Sequence, residues 1–367
     1  ASHRRAAPGA RGGGAMSLAV VDQIAKAVLY EGYMLYPYRP SAVKNQQRWN
    51  FGVLYPRAYS DAQKGTDAWM MQTEVLVQGT IAMRLDVKVR FLQLVNRSLG
   101  RVRTTVGELT KAGAQEFEAV PTLVVDDRIL QPWQEAIERE VSLPALSIEQ
   151  TSHQPFVHSF SFPPEESFED VRDLSRNVVG VIIRERAILN GVVEVSVTHI
   201  KDDLFTVRVI VGNLATDTAT SGTRETAVTK AMCSTHTVLV ASGGEFLSAI
   251  DPPEAVRDYA SGCRNIGTFP VLVGQQGQRD TFLSSPIILY DYPQIAPESS
   301  GDLFDGTEID EILSLRIMTL TDEEKREMRE SDVRARQILE RTESLPVDQL
   351  MKLHGVLRGL RAVTDKP

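Results

Sequence analysis

The chain has 367 residues, of which 42% are hydrophobic and 24% are charged, and it carries a formal net charge of −8 at pH 7. That length supports one large or two medium domains with real cores, and the composition excludes wholesale disorder. The acidic balance argues against a general affinity for nucleic acid or anionic lipid, because both need a basic face. Two cysteines are too few for a disulfide framework, and no apolar run is long enough to span a membrane. We therefore expect a cytoplasmic protein that has no membrane span and does not bind nucleic acid.

The first predicted elements are a tail and a helix. Residues 1–16 lack the apolar core of a signal peptide, so we interpret them as a flexible tail or a tag remnant. From Ser17 to Tyr36 apolar residues recur at helical spacing, and Pro37 ends the pattern. These features predict a helix over this range, followed by a loop at Tyr55–Lys64.

After Glu74 the period of the hydrophobic pattern changes to two. Apolar residues from Leu85 to Phe91 alternate with charged ones, which predicts a half-buried strand with one wet face. The break at Gly79 indicates either a separate hairpin partner or a bulge within a longer strand. Shorter elements predicted downstream are strands at Thr122–Val125, Phe156–Phe162, Pro270–Gly274 and Ile287–Tyr290, and a helical turn at Pro132–Glu140.

Asn190-Gly191 is the strongest short-range signal for a hairpin, because a type I′ turn needs positive φ at both central positions. Alternating strands before it, after it and after Lys201-Asp202-Asp203 predict an antiparallel meander of three strands. From Thr223 to Gly244 the apolar and small residues predict a helix.

The C-terminus has the clearest helical signals. Thr321 and Glu324 form a capping box that begins a helix running to Glu340, and Pro346 opens a last helix with leucines at helical spacing. The whole pattern predicts an α+β fold: an antiparallel sheet or sandwich-like β-meander with packed helices and a C-terminal helical pair. The predicted regions are a tail at 1–16, an N-terminal α+β region at 17–175, a β-meander and helix region at 176–320, and the helical pair at 321–367.

The segment from Tyr30 to Gly52, which we call the aromatic segment, concentrates aromatic, basic and amide side chains. Such residues give a recognition surface rigid amphipathic area and forked donors. The same residues could also stack a base or hold an anionic ligand, or simply pin a helix end to a sheet. The residues that we assign to partner binding here are Tyr33, Tyr36, Tyr38, Arg39, Lys44, Asn45, Arg48 and Trp49.

The segment from Tyr290 to Glu311, the acidic segment, is rich in carboxylates and contains glycine. Carboxylate oxygens suit calcium or magnesium, but the spacing does not match an EF-hand loop, and the acids could also form a solvated patch. We assign no metal here. The residues assigned to partner binding are Asp291, Asp302, Asp305 and Glu308.

A thiol site is the alternative. Cys233 and His236 are three residues apart on the predicted helix, and therefore on one face of it. They could be a nucleophile and its base, half of a metal site or a packed face, and Cys263 could approach them. The sequence contains no phosphate-loop, dinucleotide, nucleophile-elbow, zinc-protease or kinase motif, so we assign no cofactor.

Several stretches resemble an uncharacterised protein family encoded beside high-affinity, oxygen-tolerant nickel–iron hydrogenases. They are LYEGYMLYPYRPSAVKNQQRWNFGVLYP, FLSAIDPPE, CRNIGTFPVLVG and SSPIILYDYPQIAPESSGDLFDGTEIDEILSLRIMTLTDEEKREMR. The resemblance covers both ends and most of the second half of the chain, but not the middle, Tyr55 to Arg176. The resemblance implies a biological role connected with such a hydrogenase, but the family has no catalytic motif whose residues could be assigned to this chain.

The resemblance implies an accessory, assembly or structural protein that binds a nickel–iron hydrogenase subunit or its precursor. Two isolated cysteines cannot supply the paired CxxC ligands of the nickel subunit, and an iron–sulfur subunit needs many more thiolates. We therefore predict a non-enzymatic protein. The alternative is an enzyme or small-ligand-binding protein with an unfamiliar pocket that uses Cys233, His236 or Cys263.

Overall fold

The structure is a computed structural model that describes residues 13–30, 50–103, 117–215, 222–294, 317–331 and 333–346. Among these residues the helices are α1 (Gly13–Tyr30), α2 (Arg57–Ala62), α3 (Ile148–His153), α4 (Arg224–Val228), α5 (Arg257–Gly262), α6 (Asp322–Ser331) and α7 (Val333–Ser344), and a 3₁₀ turn, Glu254–Val256, precedes α5. The strands are β1 (Met70–Val102), β2 (Phe117–Ala119), β3 (Leu123–Val125), β4 (Arg128–Leu130), β5 (Trp133–Ser147), β6 (Phe156–Phe162), β7 (Glu165–Arg172), β8 (Val178–Arg186), β9 (Leu189–Lys201), β10 (Leu204–Asn213), β11 (Met232–Phe246), β12 (Phe269–Leu272) and β13 (Thr281–Ser285). A large antiparallel sheet with a few helices and a C-terminal helical pair confirms the predicted α+β class. Within the described ranges no helix is long and apolar enough to cross a membrane.

β1 organises the sheet, because it pairs with β10, β11, β5, β8 and β2 in turn along its 33 residues. The main path through the sheet is β12-β13-β11-β1-β10-β9-β6. Between Gly79 and Arg84 the register with β11 shifts, because four residues of β1 lie opposite one residue of β11. The break at Gly79 is therefore a bulge in a longer strand and not the end of a hairpin partner.

The main core is formed by the inward-facing residues of β1, β5, β9 and β10. Val89 and Phe91 of β1 meet Val193 of β9 in one buried cluster, as the alternation predicted. The opposite face of β1 is wet only in part. Arg84 is exposed, but further along the strand Leu92 packs with Leu29 of α1, and Arg90 pairs with Asp22 of α1 at 3.1 Å, so that the Arg90 side chain is only 20% exposed.

β6 and β7 run antiparallel to β9 and β8 as one long ribbon. β6 has the predicted bounds; Phe162 lies opposite Leu189, and the same register continues through β7 and β8. Pro163-Pro164 interrupts the ladder, because proline has no N–H to donate. The ribbon turns at Asp173–Asn177, between β7 and β8. The predicted boundary between regions 17–175 and 176–320 falls in this turn, so the two regions are joined by the hydrogen bonds of one β-ladder.

Asn190-Gly191 is not a turn, so that predicted hairpin is wrong. Both residues lie inside β9, while β8 pairs with β7 and β1. A Cβ added to Gly191 would lie 2.2 Å from Cζ of Phe160, so glycine is needed here for the close approach of an aromatic ring. The turn at Lys201-Asp202-Asp203 is confirmed by the β9–β10 ladder, with Asp202 at φ +45°.

The helix predicted from Thr223 to Gly244 is also wrong. After the short helix α4 the chain enters β11, which lies between β1 and β13 in the sheet. A strand that is covered on both faces has a continuous apolar pattern, which periodicity alone does not distinguish from a buried helix.

Other predicted bounds change in smaller ways. α1 begins inside the predicted tail, and its predicted end at Tyr36 lies outside the described residues. α2 occupies part of the predicted loop. The predicted helical turn at Pro132–Glu140 is replaced by β5, which pairs with β1, and the strand predicted at Ile287–Tyr290 is replaced by β13 just before it.

The C-terminal helical pair is confirmed with different bounds, since α6 and α7 both precede Pro346. The hydroxyl of Thr321 accepts the N–H of Glu324 at 3.2 Å, and the Glu324 carboxylate accepts the N–H of Thr321 at 2.9 Å, as a capping box requires. Met328 and Leu339 share a small core of their own. The helix predicted to start at Pro346 lies beyond the described part of the chain.

Candidate partner-binding surface

The structure describes the borders of the two predicted recognition segments. The following assigned residues lie outside the described residues: Tyr33, Tyr36, Tyr38, Arg39, Lys44, Asn45, Arg48, Trp49, Asp302, Asp305 and Glu308. Their assignment to partner binding stays a prediction. Asp291 is described, and so are the points at which both segments join the fold.

A bulge in β11 holds both borders of the aromatic segment. Ser234, at φ +53°, donates its hydroxyl to the carbonyl oxygen of Val28 in α1 at 2.8 Å. Its backbone N–H donates to Phe51 at 3.1 Å, and that of Thr235 donates to Gly52 at 2.9 Å. The end of α1 and the returning chain are therefore fixed to the same two residues of one strand.

The acidic segment begins beside this point. Gly52 has φ +52°, and a Cβ added to it would lie 2.7 Å from Cβ of Pro286 and 2.9 Å from the backbone nitrogen of Thr235. Only glycine fits this contact, for reasons of both backbone conformation and space. The tertiary structure thus brings the end of the aromatic segment against Pro286, which precedes the acidic segment in the chain.

Large apolar side chains are exposed around this contact. Phe51 precedes Gly52, Phe269 lies opposite Ser285, and Ile288 and Tyr290 follow Pro286. Their exposed fractions are 44% for Phe51, 44% for Phe269, 75% for Ile288 and 82% for Tyr290. We call these four residues the anchor surface. Each of the four lies within a few residues of Gly52, Ser285 or Pro286 along the chain or across the ladder, and exposed large apolar side chains are often used to bind another protein.

The chain beneath the anchor surface is firmly packed. Ile287 and Leu289 alternate with the exposed residues and pack against the cluster that joins α1 to β11 and β13. Ser285 accepts the N–H of Ile287 through its hydroxyl at 3.1 Å. This stretch was predicted as a strand, but it pairs with no strand among the described residues and presents alternate side chains to solvent.

Arginine and aromatic residues flank the end of the aromatic segment. The guanidinium of Arg57 lies 4.6 Å from the ring centroid of Trp69, and that of Arg224 lies 5.7 Å from that of Tyr55. Arg224 also donates to the side-chain oxygen of Asn50 at 3.4 Å. Sequence reasoning missed these residues, because Tyr55–Lys64 was predicted as an unspecific loop and Arg224 joins it only in the fold.

Tyr55 is unusual within this group. Its ring is 2% exposed, and its hydroxyl has no hydrogen-bond partner. Burial raises the pKa of Tyr55 to about 12, helped by Asp67 and opposed by Arg224. The neighbouring Tyr59 donates its hydroxyl to Asp67 at 3.1 Å. Both tyrosines stay protonated at neutral pH, and Tyr59 acts as a donor.

Asp291 closes an edge of the sheet. Its carboxylate accepts the backbone N–H of Leu272 in β12 at 2.8 Å and the hydroxyl of Ser248 at 2.6 Å. The N–H of Tyr292 donates to the carbonyl oxygen of Leu272 at 2.7 Å. Asp291 therefore holds the start of the acidic segment against the β12 edge, and any role in partner binding would be added to this one.

The three residues of the alternative thiol site do not all lie together. Cys233 and His236 lie on a strand, opposite Leu92 and Arg90 respectively, and the bulge between them places both on the face covered by α1. Both are fully buried. Cys263 belongs to a different buried cluster, and burial raises the pKa of its thiol to about 11, the opposite of what activates a nucleophile.

His236 is neutral and enclosed. Its Nδ1 lies 3.0 Å from the carbonyl oxygen of Ser234, to which it donates, and its Nε2 has no hydrogen-bond partner. The pKa of His236 is lowered to about 4, mainly by burial and in smaller part by Arg90, while the hydrogen bond to Ser234 and the charge of Glu140 oppose the shift. In the described part of the chain no group of three or more His, Cys, Asp or Glu side chains is arranged to hold a metal ion.

Comparison with known proteins does not extend this description. No family model and no curated protein sequence matches the chain.

Proposed function

We propose that this protein is a non-enzymatic accessory, assembly or structural protein that acts in the cytoplasm and binds a nickel–iron hydrogenase subunit or its precursor. The observation that carries the proposal is the anchor surface, which lies where the aromatic and acidic segments meet the fold. The family resemblance of the sequence supplies the identity of the partner. The geometry supplies the reason to place binding at this surface.

The energetics suit a binding surface. Full burial of a side chain such as Ile288 contributes about 1.5–3 kcal/mol, and tyrosine is enriched among the residues that dominate interfaces. Ile288 and Tyr290 are the most exposed of the four anchor residues, so a partner would remove most of their area from water. Phe51 and Phe269 would add a second pair of aromatic contacts beside them.

Preorganisation favours the same surface. The hydrogen bonds of Ser234 and Thr235 fix the backbone beside Phe51, and the packing of Ile287 and Leu289 fixes that beside Ile288. A surface that is already ordered loses little conformational entropy when a partner binds. The stacked Arg57 and Arg224 place forked cationic donors at its border.

The test is co-purification with affinity-tagged full-length chain from an organism that expresses the hydrogenase. We expect a hydrogenase subunit or precursor to be recovered with the unmodified chain. The double variant Ile288→Ser with Tyr290→Ala should lower that recovery by roughly tenfold or more.

The matched control is Leu174→Ser. Leu174 is 87% exposed in the turn of the β6–β9 ribbon, so it is an equally exposed apolar residue outside the anchor surface. Its replacement should leave recovery unchanged. Failure of the unmodified chain to recover any hydrogenase component would overturn the choice of partner, and an equal loss in both variants would overturn the choice of surface.

A further inference from the structure

Arg139 and Arg186 lie together where β5, β6 and β8 meet, and they share no residue with the anchor surface. Arg139 lies on β5 opposite Phe91 of β1, and Arg186 ends β8 opposite Glu165 of β7. We call Arg139, Arg186, Gln93, Glu165 and Phe162 the arginine site.

Arg139 is held in one orientation from two directions. Its Nε donates to the side-chain oxygen of Gln93 at 2.9 Å. Gln93 is fully buried and is itself fixed, because its amide nitrogen donates to the carbonyl oxygen of Ala187 at 2.9 Å. The guanidinium also lies 4.4 Å from the ring centroid of Phe162. A hydrogen bond at Nε and a stacked ring together fix the plane of the guanidinium.

The outer end of Arg139 is unused. Neither of its two terminal nitrogens makes a hydrogen bond, and no carboxylate lies within ion-pair distance of it in the described part of the chain. The Nε of Arg186 is buried and also has no hydrogen-bond partner, although its terminal nitrogen pairs with Glu165. The terminal nitrogens of Arg139 are not among the buried atoms without a partner, so they face solvent and are accessible to an anion.

The charges within the arginine site leave one positive charge uncompensated, because Arg139 and Arg186 carry two positive charges and Glu165 carries one negative charge. Glu135 and Glu169 are occupied, because Arg184 pairs with them at 2.7 Å and 2.6 Å, and Arg97 pairs with Glu135 at 3.3 Å. In agreement with this imbalance, burial and the neighbouring Arg186 lower the pKa of Arg139, while Glu165 opposes them.

We propose that the arginine site binds a carboxylate group through the two free terminal nitrogens of Arg139, with Arg186 beside it. A planar carboxylate matches the guanidinium fork with two parallel hydrogen bonds. Its single negative charge equals the one uncompensated positive charge, whereas a phosphate dianion would exceed it.

The surroundings define the rest of the ligand. Phe162 packs with Phe91 and Phe160, at ring-centroid distances of 6.0 Å and 5.8 Å, so the guanidinium borders an aromatic wall. The Glu165 side chain is 60% exposed, so the site opens to solvent. A carboxylate attached to an apolar or aromatic body fits this combination, whether it belongs to a small acid or to the end of a peptide chain.

The experiment is a titration of the full-length chain followed by NMR and calorimetry. Benzoate serves as the probe for a small acid, N-acetylphenylalanine as the probe for a chain terminus, and benzamide as the neutral isostere. We expect benzoate, N-acetylphenylalanine or both to bind and to shift the signals of Arg139, Phe162 and Ala187, while benzamide does not. The probe that binds with the higher affinity shows whether the site prefers the carboxylate of a small acid or that of a peptide chain terminus.

Variants give a second measurement. Arg139→Gln should lower the affinity for the stronger probe at least roughly tenfold, and Arg139→Lys, which keeps the charge but loses the fork, should lower it by a smaller factor. The control is Arg84→Gln, which removes an exposed arginine from β1 outside the site. It should leave the affinity unchanged.

Three results would overturn the proposal. They are the absence of binding by both carboxylates, equal binding of benzamide, and tighter binding of inorganic phosphate than of either carboxylate. The NMR shifts of the unmodified chain decide the matter even where a variant does not fold. None of these results bears on the recovery of a hydrogenase component, so the two proposals fail separately.

Discussion

Arg90 and Arg139 lie one rung apart on the ladder between β1 and β5, on opposite faces, and their surroundings differ completely. Arg90 is neutralised on both sides, by Glu140 at 2.8 Å and by Asp22 at 3.1 Å. Arg139 contacts an amide and an aromatic ring, and in the described residues no carboxylate pairs with it. The same residue type on the same two strands therefore fastens a helix on one face and leaves an open donor on the other.

The largest expected effect concerns the face of the sheet that carries Arg90 and is covered by α1, which we call the closed face. His236 of β11 lies opposite Arg90 there. His236 has a pKa of about 4 in the folded chain against an ordinary value of 6.5. Between these values the unfolded chain binds a proton that the folded chain does not, so stability is lost as pH falls through this window. We expect a loss of about 3 kcal/mol between pH 6.5 and pH 4 from this group.

Urea unfolding at a series of pH values measures this loss. The variant His236→Met should lose less stability over the same window than the unmodified chain. An identical pH dependence in both proteins would mean that His236 is hydrated or already charged in the folded state.

The next effect compares the two arginines directly. Arg90→Met leaves Asp22 and Glu140 without their cation, and because these partners are 57% and 38% exposed we expect a loss of only about 1–2 kcal/mol. Arg139→Met removes an uncompensated cation but also leaves the Gln93 oxygen without a donor, so its net effect should stay below about 1 kcal/mol. Chemical unfolding at pH 7 measures both, and equal losses would show that Arg139 is as structural as Arg90.

A comparable loss is expected at the β11 bulge. Ser234→Ala removes the buried hydrogen bond to Val28 and should lower the free energy of unfolding by about 1 kcal/mol. Ser152→Ala is the control, because the Ser152 hydroxyl donates to the carbonyl oxygen of Glu149 in an exposed position. Its replacement should change stability by less than about 0.5 kcal/mol.

The smallest effect tests the opposite face of the sheet, which carries the arginine site. Glu165→Gln removes the one carboxylate paired with Arg186 and raises the positive charge of the arginine site. Benzoate affinity should rise by about two- to threefold, with little change in stability because Glu165 is largely exposed. Calorimetry measures the affinity, and a decrease would mean that Glu165 orders the site more than it opposes the anion.

Local patterns predicted the elements whose residues interact mainly with near neighbours. β6 has the predicted bounds because alternation and Pro163-Pro164 are both local features. The capping box at Thr321 formed as expected for the same reason. β11 was predicted as a helix, because its two faces are covered by α1 and by the main core, whose residues are distant in sequence. Gly191 was predicted in a turn, because the ring of Phe160 that requires it lies on another strand.

Sequence alone determined the α+β class, the alternation of β1 and the capping box at Thr321, since periodicity and capping are properties of neighbouring residues. Only the tertiary structure decided that Gly52 meets Pro286, and that Arg90 is neutralised while Arg139 is not. The partners of each arginine come from remote segments: Asp22 from α1 for one, and Phe162 and Arg186 from β6 and β8 for the other. The charge balance of a side chain depends on what the fold places beside it, and no local pattern contains that information.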